Sequence, residues 1–306
     1  GSMCGIAGLF LKDPSLEPEL GRLSAGMLTV LTARGPDSAG FAVYGAGTAG
    51  QVKLTVRLPE GTDPWAVAGG LEAALDVQVK AVPRGDHVVL SLPAAQEQAA
   101  RATLARIAPE SRVAGAGSRM ELFKGVGLPA DVATRFGLAG MSGTHAIGHT
   151  RMATESAVTT AGAHPFSTGA DQCLVHNGSL SNHNSLRRML AHEGLAMETA
   201  NDSEVAAGYL SWRMAQGAPL DEALRAALAD LDGFYTFVVG TESGFGVLRD
   251  PVACKPAVMA ETDAYVAFGS EYRALVDLPG IENAHIFEPE PARVYFWNRD
   301  TAEARS

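Results

Sequence analysis

Residues 1–10 read GSMCGIAGLF, and how Cys4 is read decides the fold and the chemistry. Gly1-Ser2 reads as the remnant of a cleaved tag and Met3 as the native start. Trimming a methionine that precedes a small residue would leave Cys4 first in the chain. The run CGIAGLFL is short and apolar, the signature of a buried strand. A cysteine opening such a strand is most simply a small buried hydrophobe, because free cysteine packs that way more often than it reacts. Whether Cys4 is more than that depends on the residues the rest of the chain sets against it.

Working outward, GRLSAGMLTVLTARG has a helical period and AGFAVYG is again strand-like, so the first 45 residues read as strand, helix, turn, strand. Residues 46–140 have another texture. VKLTVRL and HVVLSL read as strands, and WAVAGGLEAAL, AAQEQAARATLARIA and PADVATRFGLA as helices, which together suggest an inserted small α/β subdomain. Polar density rises from about residue 144. After a helix near 220–231, the runs FYTFVVGT, GFGVLRD, AVMAET, AYVAFGS and RVYFWN are short strands at regular spacing, as in an antiparallel sheet.

Composition narrows the function classes. The 306 residues are 46% hydrophobic and 19% charged, ordinary for a globular protein with ample core. A net charge of −10 without any Lys/Arg run argues against nucleic acid. No secretory signal and no long apolar run suggest a membrane or export, so a cytoplasmic location is expected. Cys4, Cys173 and Cys254 are far apart and odd in number, which fits a reducing compartment. They form no zinc pattern, and His145, His149 and His164 show no ligand spacing, so no metal is expected. Cys173 and Cys254 read as buried hydrophobes.

Four polar segments follow apolar runs: RGPDSAG (34–40), GHTRMAT (148–154), VHNGSLSNHNSLR (175–187) and NDSE (201–204). Each has an ordinary structural reading. Gly35-Pro36-Asp37 and Asn177-Gly178 are turn compositions, Arg151 could be a solvated loop arginine, Ser181 or Asn182 could cap a helix, and NDSE reads as a helix start. His176 reads as a structural residue at a strand end.

Taken together behind CGIAG and in this order, the segments resemble the glutaminase domain of the class II glutamine amidotransferases. The resemblance covers about residues 4–45 and 141–298. It implies an α+β fold, the four-layer αββα sandwich of N-terminal nucleophile hydrolases, spanning 4–298 and interrupted by the 46–140 insertion. It implies Cys4 as nucleophile, its own α-amine serving as base, since a free amine (pKa about 7.7–8.0) can take the proton of a thiol (about 8.5). Asn177 and Gly178 correspond to the oxyanion donors, Arg151 to the arginine for the substrate carboxylate and Asp202 to the acid for its ammonium. Thr154 corresponds to a pocket-lining threonine, and Arg34 and Asp37 to residues that hold the N-terminal strand and the cysteine. Where relatives carry His-Gly or Ala-Gly after the GHTR segment, this chain has Glu155-Ser156.

L-glutamine is the substrate this implies, with ammonia handed on. The chain ends soon after its last strand and shows no phosphate-binding loop, dinucleotide fingerprint or Fe–S cysteine set. The expectation is therefore a free-standing subunit serving partner synthase subunits, resembling those of glutamate-synthase-like complexes such as N-methylglutamate synthase. No cofactor is expected in this chain; FMN and any Fe–S cluster would belong to the partners. The alternatives are a self-sufficient γ-glutamyl amide or peptide hydrolase and a catalytically silent structural subunit.

Overall fold

The computed structural model describes residues 4–153 and 158–299. Strand β1 (Gly5–Leu11) is buried along its whole length. Its side chains alternate between two cores, as the period of a strand requires. Ile6 and Phe10 face Val175, Val238 and Phe245, whereas Ala7, Leu9 and Leu11 face Leu23, Met27 and Leu28 of helix α1 (Leu20–Val30). Burial on both faces is why CGIAGLFL reads as one apolar run.

Strand β2 (Ser38–Tyr44) follows α1. The inserted elements come next: β3 (Gln51–Arg57), α2 (Pro64–Leu75), β4 (Lys80–Arg84), β5 (His87–Pro93), α3 (Glu97–Ile107) and β6 (Arg112–Gly117). The main body resumes with β7 (Met120–Val126), α4 (Pro129–Phe136) and β8 (His145–Arg151). Beyond them lie β9 (Phe166–Gly169), β10 (Gln172–Leu180), α5 (His183–His192), α6 (Asp202–Ala215), α7 (Leu220–Asp230), β11 (Gly233–Gly240) and β12 (Gly244–Arg249). The last strands are β13 (Val258–Glu261), β14 (Tyr265–Gly269), β15 (His285–Phe287) and β16 (Val294–Asn298).

Three antiparallel sheets result. One runs β15-β13-β14-β1-β8-β2-β7, a second β16-β12-β11-β10-β9, and the third, from the insertion, β4-β5-β3-β6. The first two stack face to face over Ile6, Phe10, Ile147, Val175, Val238 and Phe245. Helices α1 and α4 cover the outer face of the first, and α5, α6 and α7 that of the second. The order of layers is helix, sheet, sheet, helix. Gly8 permits the close stacking: a Cβ there would sit 2.8 Å from the Phe245 ring.

The insertion is shorter than the sequence suggests. A separate core, with Leu54, Val56, Leu71, Leu90 and Leu104, belongs to elements within 51–117. Residues 120–136 join the main body: Phe123 pairs with Phe41 across β7 and β2, and Val132 and Phe136 of α4 enter the α1 core. Their apolar residues complete a neighbour's face, a property invisible in local texture. Asp171, at φ 55°, fastens the junction. Its carboxylate accepts from the Ser118, Arg119 and Met120 backbone N–H groups and the Ser118 hydroxyl at 2.9–3.0 Å.

Two smaller expectations also change. Cys254 is exposed, in the connection between β12 and β13 beside Ala253 at φ 52°, whereas Cys173 is buried. Asn182 sits at the α5 cap position without a side-chain capping bond; its amide spans Asp230 O and Asp232 N instead. No helix among the described residues is long and apolar enough to cross a membrane.

Candidate active site

Cys4 stands at the head of β1, the strand between β8 and β14. Its neighbour Ile6 is locked by a bond to Ser270 Oγ at 2.7 Å and by the return bond from Ser270 N at 3.0 Å. Arg34 Nε reaches Glu271 at 3.1 Å, joining the end of α1's 3₁₀ extension to the residue just past that clamp. Asp37 braces another wall. Its Oδ2 accepts from Ala153 N at 2.8 Å and its N–H donates to Arg151 O at 3.1 Å. Arg34 thus ties the end of α1's extension to the residue after Ser270, and Asp37 ties the start of β2 to the end of β8.

Arg151 is the last residue of β8, one step past Thr150, which pairs with Gly5. The register therefore puts it beside Cys4. Its Nη1 donates to Gly162 O at 3.3 Å. Asn177 and Gly178 come from the second sheet. Although Asn-Gly reads as a turn, both lie inside β10, opposite Thr236 and Tyr235. Asn177 is buried, and its Nδ2 donates to Cys4 O at 3.2 Å, linking the two sheets at Cys4. An amide NH2 carries two hydrogens, so a second can serve a ligand. Gly178 has φ 130°, and a Cβ there would run into the Phe234 carbonyl. Only glycine holds this twist without strain.

Asp202 opens α6, where Asn201 Oδ1 caps Ser203 N at 2.8 Å, so NDSE is a helix start. Asp202 Oδ2 accepts from Leu180 N at 2.8 Å, and Oδ1 lies 3.9 Å from His176 Nδ1. The helix start is thereby pinned to the strand bearing Asn177 and Gly178. Thr154, with Glu155 and Ser156, lies outside the described residues.

Sequence reasoning missed a buried histidine cluster behind these groups. His149 Nε2 meets His176 O at 3.1 Å, so it carries the proton and donates. The His149 and His164 rings stack at 3.9 Å. Ser203 Oγ bridges His164 Nε2 at 2.7 Å and His176 Nδ1 at 2.9 Å. Burial pushes His149 down to about 3 and His164 well below its usual value. Burial also lowers His176, against the pull of Asp202. Burial thus favours the neutral imidazole in all three. The available signal was a histidine in each of two apolar strands, at register positions that face a core. Among the described residues no group of three or more His, Cys, Asp or Glu side chains could hold a metal ion.

Comparison with known proteins bears on the family and on the fold. Residues 149–277 match the family described as glutamine amidotransferase domain. The chain is 61% identical over 300 residues to the glutamine amidotransferase-like protein GlxB of Rhizobium meliloti (strain 1021), covering 98% of this chain and 100% of that one. The solved glutamine phosphoribosylpyrophosphate amidotransferase from B. subtilis superposes with a TM-score of 0.62 at 20% identity, over 97% of this chain. That likeness speaks for the fold alone, and this chain spans 48% of that protein's length.

Proposed function

The chain belongs to the class II glutamine amidotransferase family, and from that premise we propose that it hydrolyses L-glutamine through Cys4. The bond from Asn177 Nδ2 to Cys4 O carries this reading, since it sets an oxyanion donor beside the nucleophile. The Cys4 sulfur attacks the side-chain amide carbon, and the Cys4 α-amine accepts the thiol proton. The oxyanion rests on Asn177 Nδ2 and Gly178 N–H, donors fixed before the charge develops. The proton passes to the leaving nitrogen, ammonia departs, and a γ-glutamyl thioester remains. Water then attacks the thioester, giving glutamate and restoring the thiol.

Arg151 receives the substrate carboxylate in its planar fork. Asp202 receives the ammonium, and Thr154 lines the pocket. The base must be an amine. In the sequence Gly1-Ser2-Met3 precede Cys4, so the chemistry begins once they are removed.

In this reading ammonia passes to synthase subunits of a glutamate-synthase-like complex, of which N-methylglutamate synthase is the leading candidate. FMN and any Fe–S cluster sit in those partners. The insertion, with its own core, suits a docking role. The test measures glutamate and ammonia release from L-glutamine by protein beginning at Cys4, beside a Cys4→Ala control. Release by the first alone is the expected result. Equal release by both would remove Cys4 from the mechanism.

A further inference from the structure

A cavity of about 520 Å³ opens where the inserted sheet meets the main body. None of the described residues assigned to glutamine lines it. Its wall gathers cations. Arg57 and Arg112 are direct cross-strand partners on β3 and β6, and Lys124 projects from β7. Like charges placed directly opposite one another on a sheet repel, and an anion bound between them would relieve that repulsion.

Of the carboxylates around this wall, Glu204 and Glu198 act on Lys124 through space and none bonds to Arg57, Arg112 or Lys124 among the described residues. Glu97 pairs with Arg101 at 3.0 Å. Glu204 accepts from the backbone N–H groups of Glu198 and Thr199 and from the Thr199 hydroxyl. Glu198 itself is exposed. No ion pair to Arg57, Arg112 or Lys124 occurs among the described residues. Arg112 Nη1 donates to Pro109 O and Ser111 O at 3.2 and 2.8 Å. Lys124 Nζ donates to Ala163 O at 2.9 Å and, at 3.5 Å, to Ala161 O and Pro165 O, and it lies 4.5 Å from the centre of the Phe166 ring. His87 also lines the cavity; it is 1% exposed, and its Nε2 has no hydrogen-bond partner.

We propose that this cavity binds a small organic anion, its carboxylate or phosphate held among Arg57, Arg112 and Lys124 and its body against Phe166. Burial, and then the Arg57 charge, press Lys124 down to about 8 against the opposing pull of Glu204 and Glu198; a bound anion would reverse that pressure. The site also touches the glutamine site's frame. Glu204 lies two residues past Asp202 on the first turn of α6, and the Ala163 carbonyl held by Lys124 precedes His164, the partner of Ser203. An occupant would thus bear on the turn carrying Asp202, a consequence for turnover that rests on the glutaminase reading. The binding does not.

The test is calorimetric titration of the full chain with glutarate and with inorganic phosphate at constant ionic strength. Arg57→Gln, Lys124→Met and Cys4→Ala are titrated in parallel, with folding checked by circular dichroism. Binding of either probe to the wild type and to Cys4→Ala alike is expected, and which probe wins identifies the anionic group. A loss of about tenfold or more in affinity is expected in Arg57→Gln, as for a charge-assisted bond, and again in Lys124→Met. Arg57 is half-buried at a strand end, so its variant remains informative if Lys124→Met fails to fold. Failure of both probes to bind, unchanged affinity in Arg57→Gln, or loss of binding in Cys4→Ala would overturn the proposal. Glutamine turnover is not needed for this readout, so an inactive glutaminase would count against the proposed activity alone.

Discussion

Replacing Ser203 with alanine removes one hydroxyl and two buried hydrogen bonds. His164 Nε2 and His176 Nδ1 lose their partner, at 2.7 and 2.9 Å, and the three residues are only 2–5% exposed. A buried polar group left unsatisfied costs about 1–3 kcal/mol. Two such groups in one network make the expected loss about 2–5 kcal/mol, large against the roughly 5–15 kcal/mol that holds a typical domain together. The histidines cannot escape by charging, because burial disfavours the imidazolium throughout the cluster. Urea denaturation at neutral pH measures the loss directly. Since Ser203 follows Asp202, the KM for glutamine should rise as well, whereas Ser203→Thr keeps the hydroxyl and should recover part of both effects. A change below about 0.5 kcal/mol, the range of an unremarkable surface substitution, would refute the argument. It would mean that the cluster does not order the start of α6.

The acid limb offers a second check. Burial holds His145 and His149 at about 3, so below their unfolded value of 6.5 the unfolded chain binds more protons than the folded one. Stability is therefore full above pH 6.5 and should fall toward acid by about 2.7 kcal/mol per pH unit for two protons. Denaturation midpoints at several pH values test this, and a slope below one proton would contradict it. Asp171→Ala strips four donors of their acceptor and should cost about 3–5 kcal/mol by thermal or urea unfolding. Gly178→Ala should lower kcat for glutamine by about 10²–10³-fold, the effect of losing one oxyanion donor, and should show it in single-turnover assays. Arg151→Lys keeps the charge but loses the fork, and should reduce kcat/KM by about tenfold or more, mostly through KM.

The strands around Cys4 were legible because burial on both faces leaves an unbroken apolar run, as in residues 4–11 and 265–269. The helix at 202 was legible from its cap. Strand β6, RVAGAG, was not, since alanine and glycine carry little side-chain signal and its pairing with β3 comes from a partner far off in sequence. Asn177-Gly178 misled for a related reason. The positive φ that a glycine makes accessible, 130° at Gly178, is used here inside strand β10 and not in a turn. The motifs brought Cys4, Asn177, Asp202 and Arg151 into view together. The histidines stayed separate, because only the folded registry sets rings from residues 149, 164 and 176 around one serine.

The position of β1 also governs the order in which the molecule can be assembled. Strand β1 pairs with β8 on one side and β14 on the other, and the Ile6–Ser270 bond spans 264 residues. Until residues 265–269 have been synthesised, β1 keeps a bare apolar edge, open to pairing with other chains. Closing so long a loop costs entropy before any contact repays it, which slows folding. Synthesis halted before Tyr265 would leave Cys4 at the head of an unfinished sheet, so a truncated product is prone to aggregate.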